Sequence, residues 1–139
     1  QTQTFSFMSV IDTIIWSNQS KKTIIIKKNE SWIKFTTHKI LFERLVNNLI
    51  ENAIKYTSNN KIVITIDKSF FEVENEIDFI PNEEQMNNIF EPFFKFDTSR
   101  NTKWYWLWLS IVQRIIEIFN WNITASVQNN IFKIRVYFK

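Results

Sequence analysis

This chain of 139 residues contains no glycine. Average usage of roughly 7 per cent would supply about ten. Glycine enters positive-φ turns without steric cost and lets a backbone approach a ligand closely. A chain without it must close its turns with another residue. Asparagine can serve, because its short side chain hydrogen-bonds locally and tolerates the left-handed region. Ser58-Asn59-Asn60 and Asn129-Asn130 lie between runs of alternating hydrophobicity and read as such turns. Loops that use glycine to aim bare N–H groups at phosphates have no such residue here.

Hydrophobic residues make up 45 per cent and charged residues 22 per cent, the balance of one globular domain with a real core. Phe7 to Ile15 reads as a short helix, and the β-branched run within Lys22 to Lys27 as a strand. Trp32 to Phe35 alternates as a second strand. Thr36 or Thr37 is placed to cap a helix from about His38 to Tyr56, with Leu41, Leu45, Leu49 and Ala53 four apart. Lys61 to Asp67 and Phe70 to Glu76 read as a hairpin, and Glu83 to Ile89 as a short helix. Leu107 to Phe119 is an amphipathic helix, and Asn122 to Gln128 with Ile131 to Phe138 is a terminal hairpin. Helices alternating with antiparallel strand pairs give an α+β two-layer sandwich, a mixed or antiparallel sheet covered by helices on one face.

The chemistry concentrates in NNLIENAIKYT, Asn47 to Thr57. On a helix Asn48, Asn52 and Lys55 share a surface, three and four residues apart. A carboxamide oxygen suits a hard cation such as Mg2+, and a lysine one turn on suits phosphate. An amphipathic helix with a polar face is the plainer reading of the same pattern. A second block, IFEPFF from Ile89 to Phe94, runs into KFDTSR and then WYWLWLSIV, Trp104 to Val112.

Together these blocks resemble the N box, F box and G2 box of sensor histidine kinases, in the family's order and at its spacing. The G2 box there reads GxGLGLSIV. Leu107, Leu109, Ser110, Ile111 and Val112 match, whereas Trp104, Trp106 and Trp108 stand at glycine positions. Trp121, in FNWNI, stands where the family turns on a glycine. Either the nucleotide loop is altered as written, or UGA codons for glycine were rendered as tryptophan, or the glycines were replaced deliberately. UGA misreading alone does not remove every glycine, and the intact mass of the native protein decides.

The resemblance implies the Bergerat ATP-binding fold over residues 21–139, with residues 1–20 as the end of a linker from an upstream dimerisation domain and 94–105 as a lid over the nucleotide. It implies ATP and Mg2+ as cofactors, with Asn52 as metal ligand, Asn48 beside it, Lys55 on phosphate and Tyr56 against the adenine. For Tyr56, helix-end packing is an equal reading. Asn75 stands at the family's adenine-binding aspartate, with Ile77 and Phe79 at glycine positions of that segment. Phe90, Phe93 and Phe94 would anchor the lid. Arg100 and Lys103 would neutralise phosphate charge or remain solvated, Leu107 and Leu109 would pack under the lid, and the helix beginning after Trp106 would point its N–H groups at the phosphates.

The implied partners are a histidine on a separate dimerisation and phosphotransfer domain and a response regulator receiver domain. The implied compartment is the cytoplasm, with any membrane contact through parent segments. A degenerate domain serving as a docking or regulatory module is the alternative, and another Bergerat-fold ATPase is a third reading. The net charge of +3 and the lack of a clustered basic stripe argue against nucleic acid. Without cysteine there are no disulfides or thiolate metal sites. His38, the single histidine, reads as a helix-end surface residue rather than a phospho-acceptor.

Overall fold

The structure is a computed structural model. It describes residues 2–18, 24–28, 33–78, 80–90 and 100–138, with the backbone alone at 24, 26–28 and 100–108. The chain runs β1 (Gln3–Ser6), α1 (Phe7–Asn18), β2 (Ile24–Lys28), β3 (Lys34–Thr37), α2 (Lys39–Tyr56), β4 (Lys61–Ile66), β5 (Phe70–Glu76), α3 (Glu83–Asn87), α4 (Arg100–Phe119), β6 (Asn122–Gln128) and β7 (Ile131–Tyr137). Five strands form one sheet in the order β2-β4-β5-β7-β6, and β1 pairs with β3 apart from it. β2 is parallel to β4, and the other neighbours are antiparallel. The expected mixed sheet under one helix layer is therefore present.

Strand register sorts the side chains into rows. Ile62, Asn75, Phe132 and Val127 lie across one row. Ile64, Val73, Ile134 and Ala125 form the next, then Ile66, Phe71, Val136 and Ile123. Because side chains alternate along a strand, all three rows share the face that packs on the helices. Phe7, Met8, Val10, Ile11 and Ile14 of α1 join that core, as do Phe42, Leu45, Val46, Leu49, Ile50 and Ala53 of α2. Leu109, Val112, Ile115 and Ile116 complete it from α4.

The opposite sheet face is mostly polar, and among the described residues it carries one buried charge. Glu72 is 4 % exposed because Arg135 on the adjacent strand covers it, Nε donating to Oε1 at 2.7 Å and Nη2 lying 2.6 Å from the same oxygen. The Arg135 guanidinium also lies 4.0 Å from the centre of the Phe70 ring. Burial pulls its pKa down, but the bonds to Glu72 and Tyr137 outweigh this and hold it above the usual arginine value.

Asparagine takes the place of glycine at the turns. Asn60, Asn120, Asn129 and Asn130 are the positive-φ residues among those described, with φ between 53° and 64°. Asn120 ends α4 in a Schellman motif. Its N–H donates to the Glu117 carbonyl, and the Trp121 N–H donates to the Ile116 carbonyl, both at 3.1 Å. The left-handed residue is thus Asn120, and Trp121 is free to bury its ring.

Two expectations from the sequence do not hold, and one strand is additional to them. Thr36 and Thr37 belong to β3 and do not cap α2: the Thr36 hydroxyl lies 2.7 Å from that of Thr4 across the β1–β3 pair, and the N-cap position is taken by His38, whose side chain makes no capping hydrogen bond. Gln3–Ser6 form a strand that the sequence pattern did not suggest. Helix α4 begins at Arg100 rather than Leu107. Tryptophan at 104, 106 and 108 costs a helix less than glycine does, so the helix continues through the segment where glycine would break it. Residues 100–105 of the expected lid are therefore helical, while Phe93, Phe94 and the rest of 94–99 lie outside the described residues, as does Phe79.

Candidate functional site

Helix α2 buries six apolar side chains toward the sheet, and Asn52 is buried with them. It is 4 % exposed, and its Nδ2 has no hydrogen-bond partner. An unsatisfied buried donor costs about 1–3 kcal/mol, so the position is expensive unless something outside the protein completes it. Asn48, half-buried, lies one turn earlier on the same helix. Lys55 is exposed, its Nζ 5.4 Å from the Tyr56 ring centre. Tyr56 is half-buried and packs against the core.

Asn75 is the polar exception on the inner face of β5. It is 5 % exposed, between Ile62 and Phe132 in the first row, with its Nδ2 3.3 Å from the Glu76 carbonyl. Since α2 packs on β5, the two buried carboxamides, Asn52 and Asn75, stand on elements in contact. Ile77, at an expected glycine position, is buried at 4 %.

Alongside α2 runs an open groove of about 720 Å3. Its lining includes Thr13 and Ser17 from α1, Arg44, Asn48 and Glu51 from α2, and Ile111 from α4. Asn48 is the sequence-predicted residue that faces it. The wall is set by a relay in which Asn18 Nδ2 donates to Asn47 Oδ1, and Asn47 Nδ2 donates to Glu51 Oε1, both at 2.8 Å. Sequence reasoning missed this wall, because its α1 half is thirty residues away along the chain. The one hint was the doubled Asn47-Asn48.

Arg100, Lys103 and Leu107 lie in α4, their side chains outside those described, and Leu109 is fully buried. Because α4 starts at Arg100, only its first four N–H groups lack an intrahelical acceptor. The N–H groups from Trp104 onward are spent within the helix. The helix N-terminus expected just after Trp106 is therefore not there. Among the described residues no group of three or more histidine, cysteine, aspartate or glutamate side chains could hold a metal; a hard cation can also be held through a carboxamide oxygen and ligand phosphates. Asn52 fits that role: a hard oxygen donor, buried beside an unpaired N–H.

The family model for histidine kinase-, DNA gyrase B- and HSP90-like ATPases matches residues 37–139, which include α2, Asn75 and α4. This chain belongs to that ATPase family. ATP binding follows from membership of the family. Among its relatives, the probable sensor kinase SilS of Salmonella typhimurium is 36% identical over 84 residues, covering 55% of this chain and 17% of SilS. The chain therefore spans under a fifth of that relative. The catalytic domain of histidine kinase ThkA is similar in structure, with a TM-score of 0.77, 22% identity, and coverage of 99% of this chain and 95% of that one. The cytoplasmic segment of histidine kinase QseC gives a TM-score of 0.71 at 19% identity, covering 100% of this chain and 78% of that one. At such identities the likeness shows the shared Bergerat fold. No helix among the described residues is long and apolar enough to cross a membrane.

Proposed function

We propose that this ATPase-family chain is the catalytic domain of a two-component sensor histidine kinase. It binds ATP with Mg2+ and gives the γ-phosphate to a histidine on a separate dimerisation domain. The bond to the imidazole nitrogen forms as the β–γ bridging bond breaks, and ADP leaves. A response regulator receives the phosphoryl group next. The work takes place in the cytoplasm, and membrane attachment lies in other parts of the parent protein. The observation that carries this reading is Asn52, a buried carboxamide with an unpaired Nδ2, one helical turn from Asn48.

In this reading Asn52 holds the Mg2+ through its amide oxygen, with Asn48 beside it. The bound cation neutralises phosphate charge. Lys55 swings from the Tyr56 ring to a phosphate, Tyr56 packs on the adenine, and Asn75 accepts a hydrogen bond from its amino group. Arg100 and Lys103 add positive charge near the transferring group, and Leu107 and Leu109 seat α4 beneath it. Catalysis is then mostly positioning and charge stabilisation. The similarity to SilS over 84 residues supports the kinase branch of the family.

The test mixes the chain with Mg2+, labelled ATP and a separately expressed histidine-bearing dimerisation domain. Acid-labile label on that domain, lost at least tenfold with Asn52→Ala, is the expected result. Label on His38 of this chain, or transfer untouched by Asn52→Ala, would refute the assignment.

A further inference from the structure

We propose that nucleotide binding in this chain is coupled to unwinding of the first two turns of α4. The inference rests on the nucleotide site proposed above. Helix α4 is continuous from Arg100 to Phe119, and its positive-φ residue, Asn120, comes only after its last turn. The resemblance to the G2 box places the start of this helix at Leu107, seven residues later than observed. Those seven residues add about 10 Å of helix at its N-terminal end. In that state the N–H groups from Trp104 onward point along the helix axis to carbonyls four residues back. A phosphate needs those same N–H groups unpaired. The two uses exclude each other, so a ligand that takes the N–H groups must open the turns.

The cause lies in the residues at 104, 106 and 108. Tryptophan is a middling helix former and glycine a poor one, so three such positions favour the wound state by about tenfold over a glycine-bearing segment. A binding-competent state populated tenfold less lowers apparent affinity by the same factor. The device thus sets affinity through backbone conformation, and a change in helix content accompanies binding.

Three proteins decide it: the chain itself, the triple variant Trp104→Gly, Trp106→Gly, Trp108→Gly, and the triple variant with alanine at the same positions. Alanine removes the bulk of tryptophan and strengthens the helix, whereas glycine removes the bulk and weakens it. Far-UV circular dichroism and calorimetric titration with Mg2+ and ATP read the outcome. The chain is expected to lose helical signal worth about seven residues on saturation. The glycine variant should start with less of that signal and bind more tightly, by up to about tenfold, and the alanine variant should bind no more tightly than the chain.

Unchanged helical signal at saturating ATP overturns the coupling. So does an alanine variant that binds as tightly as the glycine variant, because bulk would then be the obstacle. ATP binding with the expected helix loss but no phosphotransfer would sink the kinase reading and leave the coupling standing. Absence of ATP binding in all three proteins overturns both.

Discussion

Replacing Trp121 by glycine should lower the melting temperature by about 10 °C. The Trp121 ring is half-buried and meets four phenylalanines, with centroids 4.6 Å from Phe119, 5.1 Å from Phe138, 5.7 Å from Phe35 and 6.0 Å from Phe42. Truncating a buried aromatic costs about 3–5 kcal/mol, and partial exposure puts this one near the low end, about 3 kcal/mol. Ring pairs worth about 0.5–1.5 kcal/mol each bracket the same figure. An unfolding entropy of about 2.1 cal/mol/K per residue over 139 residues converts it to about 10 °C. Trp121→Phe keeps most of the cluster and should cost less than half as much. Calorimetric melts with urea titrations measure both. A shift below about 3 °C for glycine, or an equal loss for phenylalanine, would refute the view that this ring cluster ties α4 and the terminal hairpin to β3 and α2. The left-handed position belongs to Asn120, so glycine at 121 relieves no strain and adds only its backbone-entropy cost of about 0.5–1 kcal/mol.

Asn120→Ala should cost about 1 kcal/mol, because alanine lacks the short polar side chain that eases asparagine into the left-handed region, while Asn120→Gly stays within about 0.5 kcal/mol; urea midpoints separate them. Glu72→Ala should destabilise by about 2 kcal/mol, below the figure for a fully buried pair because Arg135 is partly exposed, and Glu72→Ala with Arg135→Met together should recover part of the loss. Asn75→Asp should tighten ATP binding several-fold, since a carboxylate accepts the adenine hydrogen bond more strongly, and should lower apo stability because the new charge is buried; calorimetry reads the first and thermal melts the second. The Asp67 carboxyl is held below its usual pKa by the Ser69 N–H first and then the Ser69 hydroxyl. Its stabilising effect is therefore full above the ordinary carboxylate range and fades as pH falls through the lowered value. Asp67→Asn should flatten that part of the acid limb and leave the neutral limb alone, as urea midpoints from pH 7 to pH 2 would show.

The elements that were legible in the sequence carry their own signal. β5 is legible at its observed bounds because apolar and polar residues alternate between two turns, and Asn129-Asn130 closes the β6–β7 hairpin because asparagine is the nearest substitute for glycine. The α2 surface bearing Asn48, Asn52 and Lys55 follows from helical spacing alone. What stayed hidden depends on neighbours. β1 is short, and it exists because β3 lies antiparallel to it. Thr36 resembles a cap until its partner across the pair, Thr4, is known. The groove needs α1, α2 and α4 at once. The start of α4 is hidden for a different reason: the motif it resembles carries glycine at 104, 106 and 108, whereas tryptophan there lets the helix continue.

The parallel pairing of β2 with β4 has a kinetic consequence. Ile24 is matched to Lys61, and α2 lies within the stretch that joins them. Closing so long a loop is entropically unfavourable until something shortens it, and non-local pairing of this kind slows folding. A wound α2 is what shortens it. Substitutions on the helix that carries Asn52 should therefore register in the refolding rate as well as in the stability of the finished domain, and the edge strand of the sheet should be the last to acquire amide exchange protection.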